Sequence, residues 1–360
     1  MSSVLQRRLA VAVAASIVVL FTGTALTQSS WTKGAVFPDP EEELYGVAAN
    51  GKMYVIGGYG LGSPRGLVYE YDPATDKWTN KRAMPRPAHH SALAEYRGKI
   101  YVFGGFVAPP SGPPRATWVP IDNVWEYDPA ADSWKALPPL PTRRGAANAF
   151  EVGGKIHVIG GASVHPGSKE LGIAPGGVGR ALTTNEVYDP ATNKWEARQT
   201  MPTARNHAYG GVVGGKIYVI GGRMGAAGIG AATNSDIVEV YDPATDSWGG
   251  LGARMPTPRS GGAWGTYAGR IYVAGGEVST PVLVGAYRAI EVFDPATNQW
   301  SFFSSMPTPR HGVAGAVLGN RFHLVSGMVS SGAAGAEPDV HLHTNAHDVI
   351  ELPGQVAAAR

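Results

Sequence analysis

Short apolar runs that end in a pair of small residues recur along the chain at intervals of about 50 residues, a spacing typical of repeat architectures. A polar dipeptide such as Asn50-Gly51 or Gly214-Gly215 comes just before each run. These dipeptides favour tight hairpin turns because they tolerate positive φ. The pattern predicts a β-hairpin in each of six units, whose apolar runs are MYVIGG at 53–58, IYVFGG at 100–105, IHVIGG at 156–161, IYVIGG at 217–222, IYVAGG at 271–276 and FHLVSG at 322–327.

A third and a fourth strand complete each unit. A segment of variable length leads to another apolar run, such as NVWEYDP at 123–129 or DIVEVYDP at 236–243, and a turn such as Asp-Pro-Ala-Thr then leads to a strand that begins at a tryptophan. A single four-stranded sheet cannot bury both of its faces, so each unit needs neighbours. A radial arrangement of the sheets satisfies this requirement.

The paired glycines, the tyrosine before them and the tryptophan after a DPAT turn make the chain similar to the kelch-repeat β-propellers. The resemblance covers residues 31–353, and it implies six or seven blades. Counting the glycine pairs, with the degenerate SG pair included, favours six. We therefore expect an all-β, six-bladed propeller.

The two ends of the repeat region complement each other. Trp31 and Pro38 have the spacing of the last strand of a unit, although no DPAT turn precedes them. The last unit contains FHLVSG and DVIELP (348–353) but stops before its fourth strand. The sequence therefore predicts that the N-terminal strand completes the last blade and closes the ring, which removes open sheet edges.

The first 27 residues resemble an export signal. Arg7 and Arg8 precede an apolar stretch from Leu9 to Leu26, with small residues near its end. The stretch is also close to the ~20 residues of a membrane span, so an uncleaved anchor is the alternative. We expect an exported protein, periplasmic or secreted, or else anchored in the inner membrane and facing the periplasm. Residues 354–360 form a predicted tail.

Composition excludes several classes of function. The chain has no cysteine, which removes disulfides, thiol nucleophiles and cysteine-based metal sites. The formal charge of +2 gives no basic surface of the kind that nucleic-acid binding requires. We therefore expect no nucleic-acid partner, and membrane contact only through the N-terminal segment.

Strand order predicts which face of the propeller carries function. The turns within the hairpins lie on one face, and the connections between the second and third strands lie on the other. Four of these connections are long, and long loops on a rigid scaffold are where binding residues concentrate. They span 106–122, 162–183, 223–235 and 328–346.

The segments that enter the innermost strands also reach this face, and they align from a proline. The third residue after that proline is an arginine in four units, and histidines occupy the next two positions in several units. We predict that these side chains point toward the axis and bind a carboxylate or polyol; the alternative is that the arginines pair with a carboxylate or carbonyl in the adjacent blade. The predicted ligand-binding residues are Glu41, His89, His90, Arg144, Arg205, His207, Arg259, Arg310 and His311.

A second candidate lies in the last long loop, where histidines and an aspartate cluster. If the loop is extended, alternate side chains point one way and could hold zinc, copper or iron(II). A solvated histidine-rich loop is the alternative. No other cofactor is expected. The candidate ligands are Asp339, His341, His343 and His347.

The resemblance narrows the possible chemistry. Galactose-oxidase-type propellers use a cysteine-linked tyrosine, which this chain cannot form, and the Glu-x3-Asp-x3-His iron pattern of plant specifier proteins is not found. The first hypothesis is a non-enzymatic module that binds a protein, a glycan or a small anionic ligand. The alternative resembles N-acetylneuraminate epimerase, with Arg205, Arg259 and Arg310 orienting an acidic sugar and a histidine shuttling the proton.

Two further histidines are predicted to belong to the core. His157 and His323 take the position that tyrosines occupy in four sister repeats: Tyr54, Tyr101, Tyr218 and Tyr272.

Overall fold

The computed structural model describes residues 30–60, 62–110, 117–173, 179–332 and 342–354. These residues form six four-stranded antiparallel sheets. The first strands of neighbouring sheets contact one another, so they surround a common axis. The prediction of an all-β, six-bladed propeller is therefore confirmed. The predicted signal or anchor segment lies outside the described residues, as do residues 355–360.

We number the blades in chain order and letter their strands a to d from the axis outward. Blade 1 has strands Glu42–Ala49, Lys52–Gly60, Ser63–Asp72 and Lys77–Asn80; blade 2 has Ala92–Tyr96, Lys99–Phe103, Val124–Asp128 and Ser133–Leu137; blade 3 has Asn148–Val152, Lys155–Ile159, Asn185–Asp189 and Lys194–Ala197.

The other three blades follow the same order. Blade 4 has strands Tyr209–Val213, Lys216–Ile220, Val238–Asp242 and Ser247–Gly252; blade 5 has Ala263–Tyr267, Arg270–Ala274, Ala289–Asp294 and Gln299–Ser305; blade 6 has Ala314–Leu318, Arg321–Val325, His347–Glu351 and, as strand d, Trp31–Lys33.

The loops between strands b and c add small elements of their own. A 3-10 helix spans Ile229–Ala231 in blade 4. Within the described residues, no helix has the length and apolar character needed to cross a membrane. Four of the loops form two-stranded sheets, made by Phe106–Val107 with Val119–Pro120, Ala162–Val164 with Gly179–Ala181, Arg223–Met224 with Thr233–Asn234, and Glu277–Thr280 with Leu283–Ala286.

The N-terminal strand lies beside the last strand of the chain. Trp31 faces Ile350 and Lys33 faces Asp348 in an antiparallel pair. Beyond this strand, Phe37 is buried and packs edge-on against Tyr69 of blade 1. The first residues of the repeat region thus contact both the last blade and the first.

A repeated hydrogen bond joins neighbouring blades. The indole N–H at the start of strand d donates to a backbone carbonyl in the outer segment of the preceding blade. These bonds are Trp78 to Ala35, Trp134 to Arg82, Trp195 to Pro138, Trp248 to Gln199 and Trp300 to Ala253, at 2.7–3.1 Å.

His157 and His323 are buried between blades, which confirms that they are core residues. His157 packs against Tyr241, and His323 Nδ1 lies 2.9 Å from His347 Nε2. Burial lowers the pKa of His157 to about 4, of His323 to about 3 and of His347 to about 4. All three are therefore neutral in the folded protein at pH 7.

We expect acid to destabilise the propeller through these histidines. The unfolded chain takes up their protons near pH 6.5, whereas the folded chain does so only near pH 3–4. Their contribution to the free energy of unfolding is therefore complete above pH 6.5 and falls as the pH drops toward 4. His157→Tyr should reduce this fall by roughly 1–3 kcal/mol, as measured by urea unfolding at pH 4.5 and 7. Identical pH profiles for the variant and the parent would contradict this assignment.

Candidate functional site

The four predicted arginines lie inside the blades rather than at the axial mouth. Each guanidinium is buried and forms an ion pair with an acid on strand c of the same blade. These pairs are Arg144–Glu186 at 2.6 Å, Arg205–Glu239 at 2.6 Å, Arg259–Glu291 at 2.5 Å and Arg310–Asp348 at 2.6 Å.

The two blades without this arginine explain why it is missing there. In blade 1 the position holds Glu41, and in blade 2 it holds Ala88. The strand-c position that carries the acid elsewhere holds Tyr69 in blade 1 and Trp125 in blade 2, as the registers with strand b show. Arginine and acid therefore occur together or not at all. This covariation indicates a scaffold interaction, because buried charges need partners.

The prediction that these arginines form a cationic pocket is therefore corrected. Besides its acid, Arg205 donates to the carbonyls of Gly221 and Ile237. A ligand carboxylate has no access to guanidinium groups held in this way. The epimerase-type hypothesis loses the residues that were to orient an acidic sugar.

One position on the axis has a left-handed backbone in all six blades. It is two residues after the arginine position and has φ of 54° at Glu43, 56° at His90, 55° at Ala146, 51° at His207, 69° at Gly261 and 57° at Gly312. Glycine adopts this conformation without strain, whereas other residues require support from their surroundings.

A belt of backbone hydrogen bonds supplies this support. The N–H of Ala146 donates to the carbonyl of His90 at 2.8 Å, and the N–H of His207 donates to the carbonyl of Ala146 at 3.0 Å. Gly261 and Gly312 continue the belt in blades 5 and 6. The belt surrounds the axis and holds the side chains of Glu43, His90 and His207 together, with one possible ligand atom of each within 4.8 Å of the others.

Glu42 and His311 join this group from the preceding position in their blades. His90 Nε2 lies 3.0 Å from Glu43 Oε2. His311 Nε2 lies 3.2 Å from Glu42 Oε2 and 3.8 Å from Glu43 Oε1. We call Glu42, Glu43, His90, His207 and His311 the axial cluster.

An ion pair supports the cluster from blades 4 and 5. Arg223 is bonded to Glu277 and donates to Ser260 Oγ at 2.9 Å. The other carboxylate oxygen of Glu277 accepts bonds from Ser331 Oγ at 2.6 Å and from the N–H of Gly332 at 2.8 Å. Both oxygens of Glu277 are thus occupied, and its carboxylate orients the surrounding loops.

The charges of the cluster are mutually stabilised. Burial acts to lower the pKa of His311, but Glu277, Glu42 and Glu43 raise it to about 10. Burial acts to raise the pKa of Glu43, but His90, His311 and Arg223 together lower it to about 2. His311 is therefore a cation and Glu43 an anion across the neutral range.

His207 and His89 are neutral by contrast. Burial, reinforced by Arg223 and the other histidines, holds the pKa of His207 well below its usual value. Burial and His90 do the same for His89, whose Nδ1 lies 2.5 Å from His90 Nδ1. The predicted histidines therefore differ in charge although they occupy two adjacent positions of one repeat.

Glu41 lies at the edge of the cluster. Its carboxylate is 3.2 Å from Arg65 Nε and 3.8 Å from His343 Nδ1. Burial raises its pKa to about 7, and Arg65 opposes the shift. The other side of His343 faces Glu42, with Nε2 4.0 Å from Oε1.

The predicted C-terminal metal cluster is only partly described. Asp339 and His341 lie outside the described residues. His347 is the first residue of strand c of blade 6, and its imidazole is buried against Tyr71 and His323. The prediction that it binds a metal together with His343 is therefore wrong. The imidazole faces the core because strand residues alternate between the two faces of a sheet.

Four residues of the site were missed by the sequence analysis. Glu42 and Glu43 share the alignment positions of the predicted histidines, so that alignment could have found them. Arg223 and Glu277 each follow a glycine pair directly, in adjacent blades. Opposite charges at one repeat position in neighbouring blades are the signal that predicts their ion pair.

A channel with a volume of about 420 Å³ follows the axis on the other side of the cluster. Strand-a residues line it, among them Tyr45, Phe150 and Trp264. Two of its carboxylates, Glu95 and Glu151, accept backbone N–H bonds from the tight turns. These acids are therefore occupied by the scaffold, and the axial cluster separates the channel from the long-loop face.

This repeat architecture is shared with known proteins. A family model described as the Kelch motif matches residues 46–85, 87–141, 204–248 and 258–307, more than half of the chain. The chain belongs to the kelch family. The solved structure of YjhT aligns with a TM-score of 0.67 at 20% identity, over 82% of this chain and 93% of that one, which shows a shared fold.

The curated relatives are longer kelch proteins. Kelch-like protein terF of Aspergillus terreus is 27% identical over 304 residues, which cover 82% of this chain and 62% of the relative. Kelch-like protein 25 of Xenopus tropicalis is 26% identical, with 76% of this chain and 42% of the relative covered. This kelch chain thus spans less than two thirds of the length of these relatives.

Proposed function

We propose that this kelch propeller is a binding module and that its partner is a protein held on the long-loop face. The observation that carries the proposal is the b–c hairpin of blade 5. At its tip Val282 is 94% exposed, Leu283 53% and Val284 46%. Three consecutive apolar residues in solvent favour an interaction surface, whereas single exposed apolar residues are ordinary.

The hairpin is held rigidly in this position. Its strands pair from Glu277 with Ala286 to Thr280 with Leu283. At the base, the N–H of Glu277 donates to the carbonyl of Ser260, and Tyr287 donates to Gly276. A pre-ordered hairpin loses little conformational entropy on binding, which favours affinity.

A protein partner fits this face better than a small anion does. The predicted arginines are paired inside the blades, and the charged side chains nearest the axial mouth include Glu41 and Glu42. An apolar hairpin tip on this face suits a protein surface with an apolar pocket. We further propose that the protein acts outside the cytosol, which the signal-like sequence of residues 1–27 supports.

We also propose that strand 31–33 closes the ring. Its pairing with strand 347–351 and the packing of Phe37 on blade 1 support this role. A closed ring presents the long-loop face as one rigid surface.

Quantitative affinity capture tests the binding proposal. Immobilised protein is exposed to the extracytoplasmic fraction of its source cells, and the bound proteins are quantified by mass spectrometry. A triple variant with Val282→Ser, Leu283→Ser and Val284→Ser should bind at least tenfold less of any partner that the parent captures. The reason is that each apolar side chain buried on binding contributes about 1–3 kcal/mol.

The matched control is Phe302→Ser, which removes a 66% exposed apolar side chain from strand d of the same blade. This variant should capture the partner as the parent does. Equal capture by the parent and the hairpin variant, with both folded, would refute the proposal.

A further inference from the structure

We infer that Glu42, Glu43 and His311 bind one divalent transition-metal ion where the axis meets the long-loop face. One ligand atom of each residue lies within 4.8 Å of the others. The inference is independent of the proposed protein partner, because it concerns groups at the axis rather than the hairpin.

The spacing of the donor atoms suits a shared ion. Ligand atoms about 2.1 Å from a tetrahedral ion lie roughly 3.4 Å apart. His311 Nε2 is 3.2 Å from Glu42 Oε2 and 3.8 Å from Glu43 Oε1, so the observed separations bracket this distance.

The imidazole is oriented as a metal-binding histidine is. His311 Nδ1 lies 2.6 Å from the carbonyl oxygen of Ser330, to which it donates. Nε2 therefore faces the two carboxylates, and metal-ligating histidines commonly hold their other nitrogen in this way. An ion bound here takes the place of the proton that Nε2 carries in the metal-free protein, because metal binding to imidazole releases that proton. The backbone of His311 is fixed by two hydrogen bonds with Met328, at 3.0 and 2.9 Å.

A second group of possible ligand atoms adjoins the site and shares Glu43 with it. Glu43, His90 and His207 are buried, and one ligand atom of each lies within 4.8 Å of the others. His90 Nε2 is 3.0 Å from Glu43 Oε2, so this imidazole holds the carboxylate in place beside the ion.

Backbone geometry and charge also favour a cation. Glu43 keeps a left-handed φ of 54° where blades 5 and 6 have glycine, and strain of this kind is concentrated at functional sites. The carboxylates of Glu42, Glu43 and Glu277 surround His311 Nε2, the last at 3.8 Å. Glu277 is occupied by Arg223, Ser331 and Gly332, so it supports the site from outside.

The donor atoms indicate the class of ion. One imidazole nitrogen with carboxylate oxygens suits Zn²⁺, Mn²⁺, Fe²⁺ or Co²⁺, whereas Mg²⁺ prefers oxygen alone. Glu42 and His343 have side chains 16% and 20% exposed, so the ion enters from the long-loop face. His343 Nε2, 4.0 Å from Glu42 Oε1, is near enough to add a nitrogen.

The test uses untagged protein treated with EDTA and then dialysed against Zn²⁺ or Co²⁺. About one equivalent of Zn²⁺ should be retained, and Co²⁺ should give the visible absorption bands of a nitrogen- and oxygen-coordinated ion. His311→Gln and Glu42→Gln should each lower the affinity at least tenfold. His157→Tyr, at a buried histidine outside the site, should leave the affinity unchanged.

Circular dichroism and thermal unfolding establish that each variant is folded. If His311→Gln does not fold, Glu42→Gln decides, because the side chain of Glu42 is partly exposed. Less than a tenth of an equivalent of metal on the parent would overturn the inference. Undiminished binding by folded Glu42→Gln and His311→Gln, or an equal loss in His157→Tyr, would also overturn it.

Discussion

Removal of residues 1–37 is expected to abolish cooperative unfolding of the propeller, whereas removal of residues 1–29 should leave it intact. The longer deletion removes strand d of blade 6 and exposes the edge of strand 347–351. It also removes the acceptor of the Trp78 indole, since that N–H donates to the carbonyl of Ala35 at 2.9 Å. Aromatic burial and an inter-blade hydrogen bond are thus lost together.

A point substitution measures part of this effect. Phe37 is 1% exposed, and its ring lies 5.2 Å from Tyr69 and 5.0 Å from Trp78, between centroids. Phe37→Ala should lower the free energy of unfolding by about 3–5 kcal/mol, as measured by urea unfolding. Val36→Ala is the control, because Val36 is 62% exposed and the change should cost less than about 0.5 kcal/mol.

Ring closure by the N-terminus would be contradicted by either of two results. One is a protein lacking residues 1–37 that unfolds with the same midpoint as the protein lacking residues 1–29. The other is Phe37→Ala with a stability equal to that of Val36→Ala.

The second large effect is expected at the buried ion pairs. Arg259→Met leaves Glu291 buried without its cation, and breaking such a pair costs about 3–5 kcal/mol. Arg259 also donates to the carbonyls of Thr257 and Val273, so its side chain joins three segments of blade 5. Because this role is structural, urea unfolding of the variant should show the loss of stability without any ligand present.

Two controls separate pairing from simple loss of packing. Arg259→Met combined with Glu291→Met removes both charges, and the cost should fall below about 2 kcal/mol because apolar pairs of similar volume replace buried ion pairs well. Arg254→Met breaks the exposed pair with Asp236 and should cost less than about 1 kcal/mol. A stable Arg259→Met variant would restore the possibility of a ligand-binding arginine.

The architecture could be predicted from sequence because its signals repeat in phase. Glycine pairs such as Gly221-Gly222 mark a position with positive φ in blade after blade, and few other residues adopt that conformation. The strand-d tryptophans of blades 1 to 5 are equally regular because each one forms the same inter-blade hydrogen bond. Trp31 was recognisable because it keeps the spacing of a fourth strand.

The candidate site was less predictable because nearby positions of one repeat can serve different purposes. Arg205 and His207 lie two residues apart, yet the first turns into its blade and the second turns to the axis. The direction depends on the left-handed backbone at His207, which periodicity alone does not show. Recognising it required the observation that Gly261 and Gly312 occupy the same position.

The acids of the site were missed for a related reason. Glu42 and Glu43 stand in the same columns as His311 and His90, but the basic residues recur in those columns whereas each acid occurs once. Long-range pairs such as Arg223 with Glu277 are invisible to any reading of single repeats. They become visible when equivalent positions of neighbouring blades are compared, because adjacent blades are also adjacent in space.

Site-specific cross-linking tests most directly whether the long-loop face is the binding surface. The chain contains no cysteine, so a single introduced cysteine can carry a photoactivated cross-linker at a chosen position. Val282→Cys places it at the hairpin tip, and Thr245→Cys places it on an exposed turn of the opposite face. We predict that illumination in the extracytoplasmic fraction joins a distinct partner protein to the Val282→Cys variant and not to the Thr245→Cys variant. A partner joined only at Thr245→Cys, or equally at both positions, would contradict the account.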